Sequence, residues 1–148
     1  MTYQETPAQK VLEAFEAVLK DITGIHLYKW EPARGFPLPA LIFLKASGPR
    51  FSQEIGLGEI AEKDVRGNFV HVFIQVNVWT RKPEDRDSIM DQAVKKIAAA
   101  RSAGTFRGYG IQNVEIYLPP RDMPYDEEQG LYRAVTDYHT IYLLTRIA

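Results

Sequence analysis

Three histidines, His26, His71 and His139, are the side chains best suited to acid–base or metal chemistry. Asp137 and His139 stand two positions apart, so on a strand they share one face, and His71 faces them if its own strand lies alongside. Two histidines and a carboxylate can hold a divalent metal. No tight spacing such as H-E-x-x-H occurs, so ordinary sheet-surface polar residues are the plainer reading and no metal is expected. Gly56-Leu57-Gly58 and Gly108-Tyr109-Gly110 look like pieces of phosphate loops, but neither sits between a strand and a helix with the full glycine spacing. Both read as turns. Ser47, Ser52, Ser88 and Ser102 lack a nucleophile elbow. Glu54, Glu59 and Glu62 lie in a charged stretch that offers little to hold a carboxyl at a raised pKa. Cysteine is absent, which removes thiol catalysis, Cys-based zinc sites and disulfides. The expectation is a protein that is not an enzyme and carries no cofactor.

Aromatic placement is more informative. Tyr109, Tyr117, Tyr125, Tyr132, Tyr138 and Tyr142 crowd the C-terminal third, six of the 8 tyrosines. Tyrosine is enriched at protein interfaces because it offers apolar area with a hydroxyl that tolerates rim water. Two readings stand open: a Tyr-rich sheet face covered by the chain's own helices, or one covered by a partner. The interface candidates are Tyr109, Tyr117, Tyr132, Tyr138 and Tyr142, with Trp79, Phe51 and Ile55.

The elements that must position these residues follow from pattern. Thr6-Pro7-Ala8-Gln9 has a Thr cap, Pro at the first helical position and Gln at the capping-box position. Ala8, Val11, Leu12, Phe15, Leu19 and Ile22 then make a buried stripe, predicting a helix over 6–22 with Gly24 as its stop. Glu16 and Lys20 stand four apart in the favourable order. His26 to Trp30 reads as a short strand, Glu31 to Pro39 as a proline-rich loop, and Ala40 to Ala46 as a short buried strand. Residues 47–67 read as a long mobile loop, of which Arg50 to Ile55 can pair as an edge strand. In 69–80, Val70, Val72, Ile74, Val76 and Val78 share a face, predicting a long strand whose end projects beyond its core. Pro83 opens a helix over 83–101, acidic at its start and basic at its end, with Ile89, Ala93, Ile97 and Ala100 buried, Met90 and Val94 beside them, and Gly104 as its stop. Tyr109 to Leu118 and Leu131 to Arg146 form a C-terminal hairpin, 109–146, joined through Pro119 to Gly130. The predicted fold is α+β, with two α-helices packed on a mostly antiparallel sheet of four to five strands.

Composition bounds the rest. The 148 residues fit one domain over 1–148, and 45% hydrophobic with 25% charged residues excludes disorder as the main state. A net charge of −1 lacks the basic footprint of a nucleic-acid binder. The longest apolar run, Ala40 to Leu44, is far short of the ~20 residues a membrane helix needs, so no membrane partner is expected. The N-terminus Met-Thr-Tyr-Gln-Glu lacks a basic region and an apolar core, so no secretory signal is expected and the chain reads as an intracellular product.

Four segments resemble the bacteriophage tail terminator, or tail completion, family, in that family's order. Leu38-Pro39-Ala40-Leu41-Ile42-Phe43 is similar to its proline-led second strand, after a short strand ending near Tyr28. Val72-Phe73-Ile74-Gln75-Val76-Asn77-Val78-Trp79 resembles its central strand, and Pro83 to Arg101 the amphipathic helix that follows. Asp122-Met123-Pro124-Tyr125-Asp126 with Gly130-Leu131-Tyr132-Arg133-Ala134-Val135-Thr136-Asp137-Tyr138 resembles its closing loop and last strand. The likeness covers most of residues 8 to 144, in patterns of residue type rather than an invariant signature. The stretch from Gly48 to Gly67 departs from it.

The resemblance implies a structural virion protein made in the host bacterial cytoplasm and placed at the head–tail junction. Its partners would be further copies of itself in a hexameric ring, the tail tube protein beneath, and the head–tail connector or neck protein above. Such a ring stops tube polymerisation, and DNA passes through its lumen without specific binding. Asp122, Asp126, Glu127 and Glu128 are candidates for an acidic, phosphate-repelling lumen, or else form a solvated loop tip. Neighbouring readings are a neck or head-closure ring protein and, from another class, a small-ligand-binding α+β domain with an apolar pocket.

Overall fold

The computed structural model describes the backbone of residues 7–29, 36–46, 59–62 and 65–147, and their side chains except at 59–62, 65–68 and 144–147. Thr6, Glu54, Phe51, Ile55, Gly56-Leu57-Gly58 and the suggested edge strand at Arg50 to Ile55 lie outside the described residues.

Pro7 opens α1 (Pro7–Leu19), whose buried Val11, Leu12, Phe15, Val18 and Leu19 recur every three or four residues. The helix ends at Leu19, three residues earlier than its apolar stripe suggests. The chain tightens there, with the Ile22 amide donating to the Leu19 carbonyl at 3.2 Å, so Ile22 reaches the core from outside the helix. Gly24 follows at φ +78°. Glu16 does not serve Lys20; its carboxylate pairs with Lys29 at 3.1 Å. α2 (Pro83–Ala103) also begins at a proline, and Gly104 at φ +77° ends it in the left-handed region that favours glycine. Ile89, Met90, Ala93 and Ile97 are its buried side. A 3-10 turn, Thr105–Tyr109, inserts Phe106 beneath α1, its ring 5.5 Å from that of Phe15.

The strands are β1 (His26–Tyr28), β2 (Ala40–Lys45), β3 (Glu59–Glu62), β4 (Val65–Thr80), β5 (Ile111–Asp126) and β6 (Leu131–Ile147). They form one sheet in the order β1-β2-β4-β6-β5, with β3 paired to β4 beside β2. Only β1 and β2 run parallel; every other pairing is antiparallel. The chain is therefore an α+β protein, with both helices on one sheet face. Val70, Val72, Ile74, Val76 and Val78 of β4 point into the helix-covered core with Leu41, Phe43, Ala134 and Tyr138.

Two expectations about strands are corrected. Residues 47–67 are not loop throughout: β3 occupies 59–62 and β4 starts at Val65. The strand predicted over 69–80 thus gains four residues at its start, and the pairing Val65↔Ile147 carries it to the end of β6. At this end of the sheet β3, the start of β4 and the end of β6 pair as three adjacent strands.

The second correction concerns the hairpin. Pro119 to Gly130 is not a free connection; β5 runs on to Asp126, and the turn is only 127–130. Proline donates no hydrogen bond, and the ladder slips where prolines stand: between Leu118 and Arg121, and between Met123 and Asp126. An edge strand tolerates this, and β5 is the sheet's edge. Thr136 donates to the Leu118 carbonyl at 3.0 Å beside the first slip. At the turn, Asp126 Oδ1 accepts from the Glu128 and Gln129 amides at 3.1 Å each, which closes it.

Candidate functional site

The sheet face away from the helices carries the polar residues of β4 and β6 in register. Gln75 lies opposite Asp137, Asn77 opposite Val135, Trp79 opposite Arg133 and Phe73 opposite His139. Odd positions on both strands point this way while their even neighbours fill the core, so the period-two pattern builds both faces at once.

Asp137 anchors this face. It is 0% exposed, and its Oδ2 accepts from Arg121 at 2.8 Å while Oδ1 accepts from Gln75 at 3.2 Å. Gln75 Oε1 in turn accepts from Asn77 at 3.1 Å. Asn77 Oδ1 takes two bonds from Arg133, at 3.2 and 2.7 Å, and the Arg133 guanidinium lies 4.9 Å over the Trp79 ring. A buried carboxylate is tolerable only when paired and hydrogen-bonded, and here a relay of side chains across three strands satisfies it. Phe36 closes against Trp79 at 5.8 Å.

His71 and His139 do meet, though not with Asp137. Their rings stack at 5.0 Å, and His71 Nδ1 lies 2.8 Å from His139 Nε2. Glu115 Oε1, 3.2 Å from His139 Nδ1, draws the proton to that nitrogen and leaves Nε2 of a neutral ring as acceptor, so His71 Nδ1–H donates to it. Burial, and then repulsion from His139 whenever that ring is protonated, push the His71 pKa below its ordinary 6.5. The unfolded chain then takes this proton more readily than the folded one, so stability is present above pH 6.5 and falls as pH drops below it. Thermal melts at pH 7.5 and 5.5 should show a larger loss for the parent than for His71→Asn. Equal losses would mean the pair does not contribute. Among the described residues, no group of three or more His, Asp or Glu side chains is placed to hold a metal ion.

The interface candidates divide. Tyr138 is a core residue, 2% exposed and edge-on to Phe15 at 5.7 Å, so it is withdrawn from the surface set. Tyr109 and Tyr142 pack partly buried against the core, and the Tyr142 ring closes over Gly110, whose φ is +83°. Trp79 is engaged by Arg133 and Phe36. Tyr132 packs on Tyr125 at 4.7 Å and under Arg86 at 5.7 Å. Tyr117 remains 42% exposed, resting on Phe73 at 4.9 Å.

Pattern reading did not single out Ile116, 46% exposed, and placed Tyr125, 48% exposed, only within the general tyrosine crowd. Among the described residues, they and Tyr117 are the exposed large hydrophobic residues, and all belong to β5. Ile116 carried no signal in sequence, because an isoleucine in an alternating strand reads as core. Of the acidic candidates, Asp122 is held by Arg86 at 3.2 Å and Asp126 closes the turn, while Glu127 and Glu128 are exposed at its tip.

On this face Asp137, Gln75, Asn77, Arg121 and Arg133 engage one another, and Ile116, Tyr117 and Tyr125 stand exposed on β5. Among the described residues, no helix is long and apolar enough to cross a membrane. No protein-family model matches the chain, and no curated protein matches it.

Proposed function

We propose that the protein is a phage tail terminator that assembles into a hexameric ring on the end of the tail tube, stops its growth and offers a surface to the head–tail connector. One observation carries this reading: the one sheet ends in two different edges on its opposite sides. The first is the edge of β5, with Ile116, Tyr117 and Tyr125 exposed. The second is the outer side of β3, which pairs with β4 and with no other described strand. A closed ring needs two different, complementary patches related by rotation, whereas a two-fold dimer needs only one that complements itself. The sequence resemblance supplies the tail context. Glu127 and Glu128 at the β5–β6 turn suit a position facing passing DNA, since carboxylates repel phosphate.

The test is capping. Tail tube protein polymerised with this protein should give tubes that stop growing, with gold-labelled protein at one end in negative stain. Tubes of unchanged length and no end label would remove the terminator reading. Binding to connector rings but not to tubes would assign the chain to the neck instead.

A further inference from the structure

We infer that the cavity where the last turn of α2 meets the start of β5 binds a tetrahedral oxyanion, a phosphate group, between Arg101 and Arg107. This goes beyond the ring reading and does not depend on it.

The cavity measures about 160 Å³, with buried Phe106 and Ile111 beneath it and Arg101, Arg107, Gln112 and Asn113 as its polar lining. Its frame is fixed. Phe106 anchors the 3-10 turn on Phe15, and the Gly110 carbonyl accepts from the Leu143 amide at 2.9 Å. Arg107 therefore leaves from backbone tied on both sides, and Arg101 from the last turn of α2. The start of β5 is bulged: Ile111 pairs with Tyr142 and Asn113 with Ile141, so Gln112 has no partner on β6. A bulge re-aims side chains. Here it places both Gln112 and Asn113 on the cavity, between the buried Ile111 and Val114.

Charge at this end of the molecule has one sign. Residues 92–114 contain Lys95, Lys96, Arg101 and Arg107 and no acid. No described Asp or Glu lines the cavity. Glu115, the next acid along the chain, turns its carboxylate to His139 on the sheet face away from the helices. Asp91 is held by Lys95, and Asp122 by Arg86 near the start of α2. From Arg86 to Arg101 is 101 − 86 = 15 residues, about 22 Å along the helix. Neither Arg101 nor Arg107 takes part in an ion pair or hydrogen bond among the described residues.

The donors select the ligand. A guanidinium offers paired N–H groups that match two oxygens of one anion. Two guanidiniums, with the Gln112 and Asn113 amides beside them, suit the four oxygens of a phosphate better than the two of a carboxylate. The backbone is not the cradle: the Arg107 and Gly110 amides are spent on the Gly104 and Arg107 carbonyls at 3.2 and 3.0 Å. Gly108-Tyr109-Gly110 is thus a turn, and side chains hold the anion. Pockets that enclose a drug-sized ligand run to roughly 300–1,000 Å³, so this one takes a single small group and leaves anything attached to it outside.

The experiment is a titration of ¹⁵N-labelled protein with sodium phosphate at constant ionic strength, compared with sodium acetate and with a single-stranded oligothymidylate. Phosphate should give saturable amide shifts centred on residues 101–114, and acetate should bind more weakly. Arg101→Ala and Arg107→Ala should each weaken phosphate binding about tenfold, the size of one lost charge-assisted contact. Both side chains are exposed, so the melting temperatures of these variants without phosphate should match the parent and separate lost binding from lost fold. Oligothymidylate binding that shifts the same residues and is lost in both variants assigns the phosphate to a nucleic-acid backbone. Saturation by phosphate with no such binding assigns it to a free phosphate, and either result supports the site. Absence of saturation, equal affinity for acetate, or unchanged binding by both variants overturns it. Shifts that track ionic strength and spread over Lys95 and Lys96 overturn it as well.

Discussion

An Asp137→Ala protein is expected to lose about 2–4 kcal/mol of stability, an unusual loss for a charged residue. The carboxylate is fully buried and accepts from Arg121 and Gln75. Removing it leaves the Gln75 amide short of an acceptor and breaks the relay to Asn77 and Arg133. The figure stays below the most severe buried-pair losses because Arg121 is 37% exposed and can turn to water. Urea denaturation measures it as a fall in midpoint at constant slope. Asp137→Asn should fall between, keeping an oxygen for one donor. A loss under about 0.5 kcal/mol, the size usual for surface substitutions, would mean that the relay does not brace the sheet.

Phe15→Ala should cost about 3–5 kcal/mol by opening a cavity where three elements meet. Phe15 is 0% exposed on α1 and contacts both Phe106 of the 3-10 turn and Tyr138 of β6. For a domain of this size each kcal/mol moves the melting temperature by roughly 2–4 °C, so a drop of about 6–20 °C is expected. Calorimetry checks it. A drop of one or two degrees would place Phe15 at a site that collapses freely, against the packing described.

Both positions show what the sequence does and does not disclose. Phe15 was legible because helical spacing fixes the buried side of α1 before any partner is known. The same holds for the even positions of β4, where alternating β-branched residues admit one orientation. Asp137 was visible only as a neighbour of His139. Its real partners are Arg121, 16 residues away across the β5–β6 hairpin, and Gln75, 62 residues away on β4, and register decides which side chains meet. The prolines of β5 misled for a physical reason: they normally end strands, but an edge strand can bulge around them. Gly67 and the mixed charges near it hid the start of β4 in the same way, since no local pattern reveals a partner as distant as the end of β6. The exposure of Ile116 had no sequence signal at all. It depends on where the helix axis lies over the sheet, and one uncovered isoleucine reads in sequence like any buried one.

The face opposite the helices divides between these two kinds of information. The alternation on β4 placed His71, Gln75 and Asn77 outside the helix-covered core. That they would be tied together rather than left to solvent follows from β6, whose Arg133, Asp137 and His139 supply the complementary groups. Such a network braces β4, β5 and β6 against one another, which the proposed ring would require of its subunits.

The most direct test of that assembly is the mass of the protein in solution, by light scattering after size exclusion over a concentration series, with negative-stain images of each peak. A species of six times 16.9 kDa, or a monomer that becomes six-subunit rings at high concentration or on tube ends, is the predicted result. A monomer or two-fold dimer at every concentration, with no rings even when tube ends are present, would contradict the account.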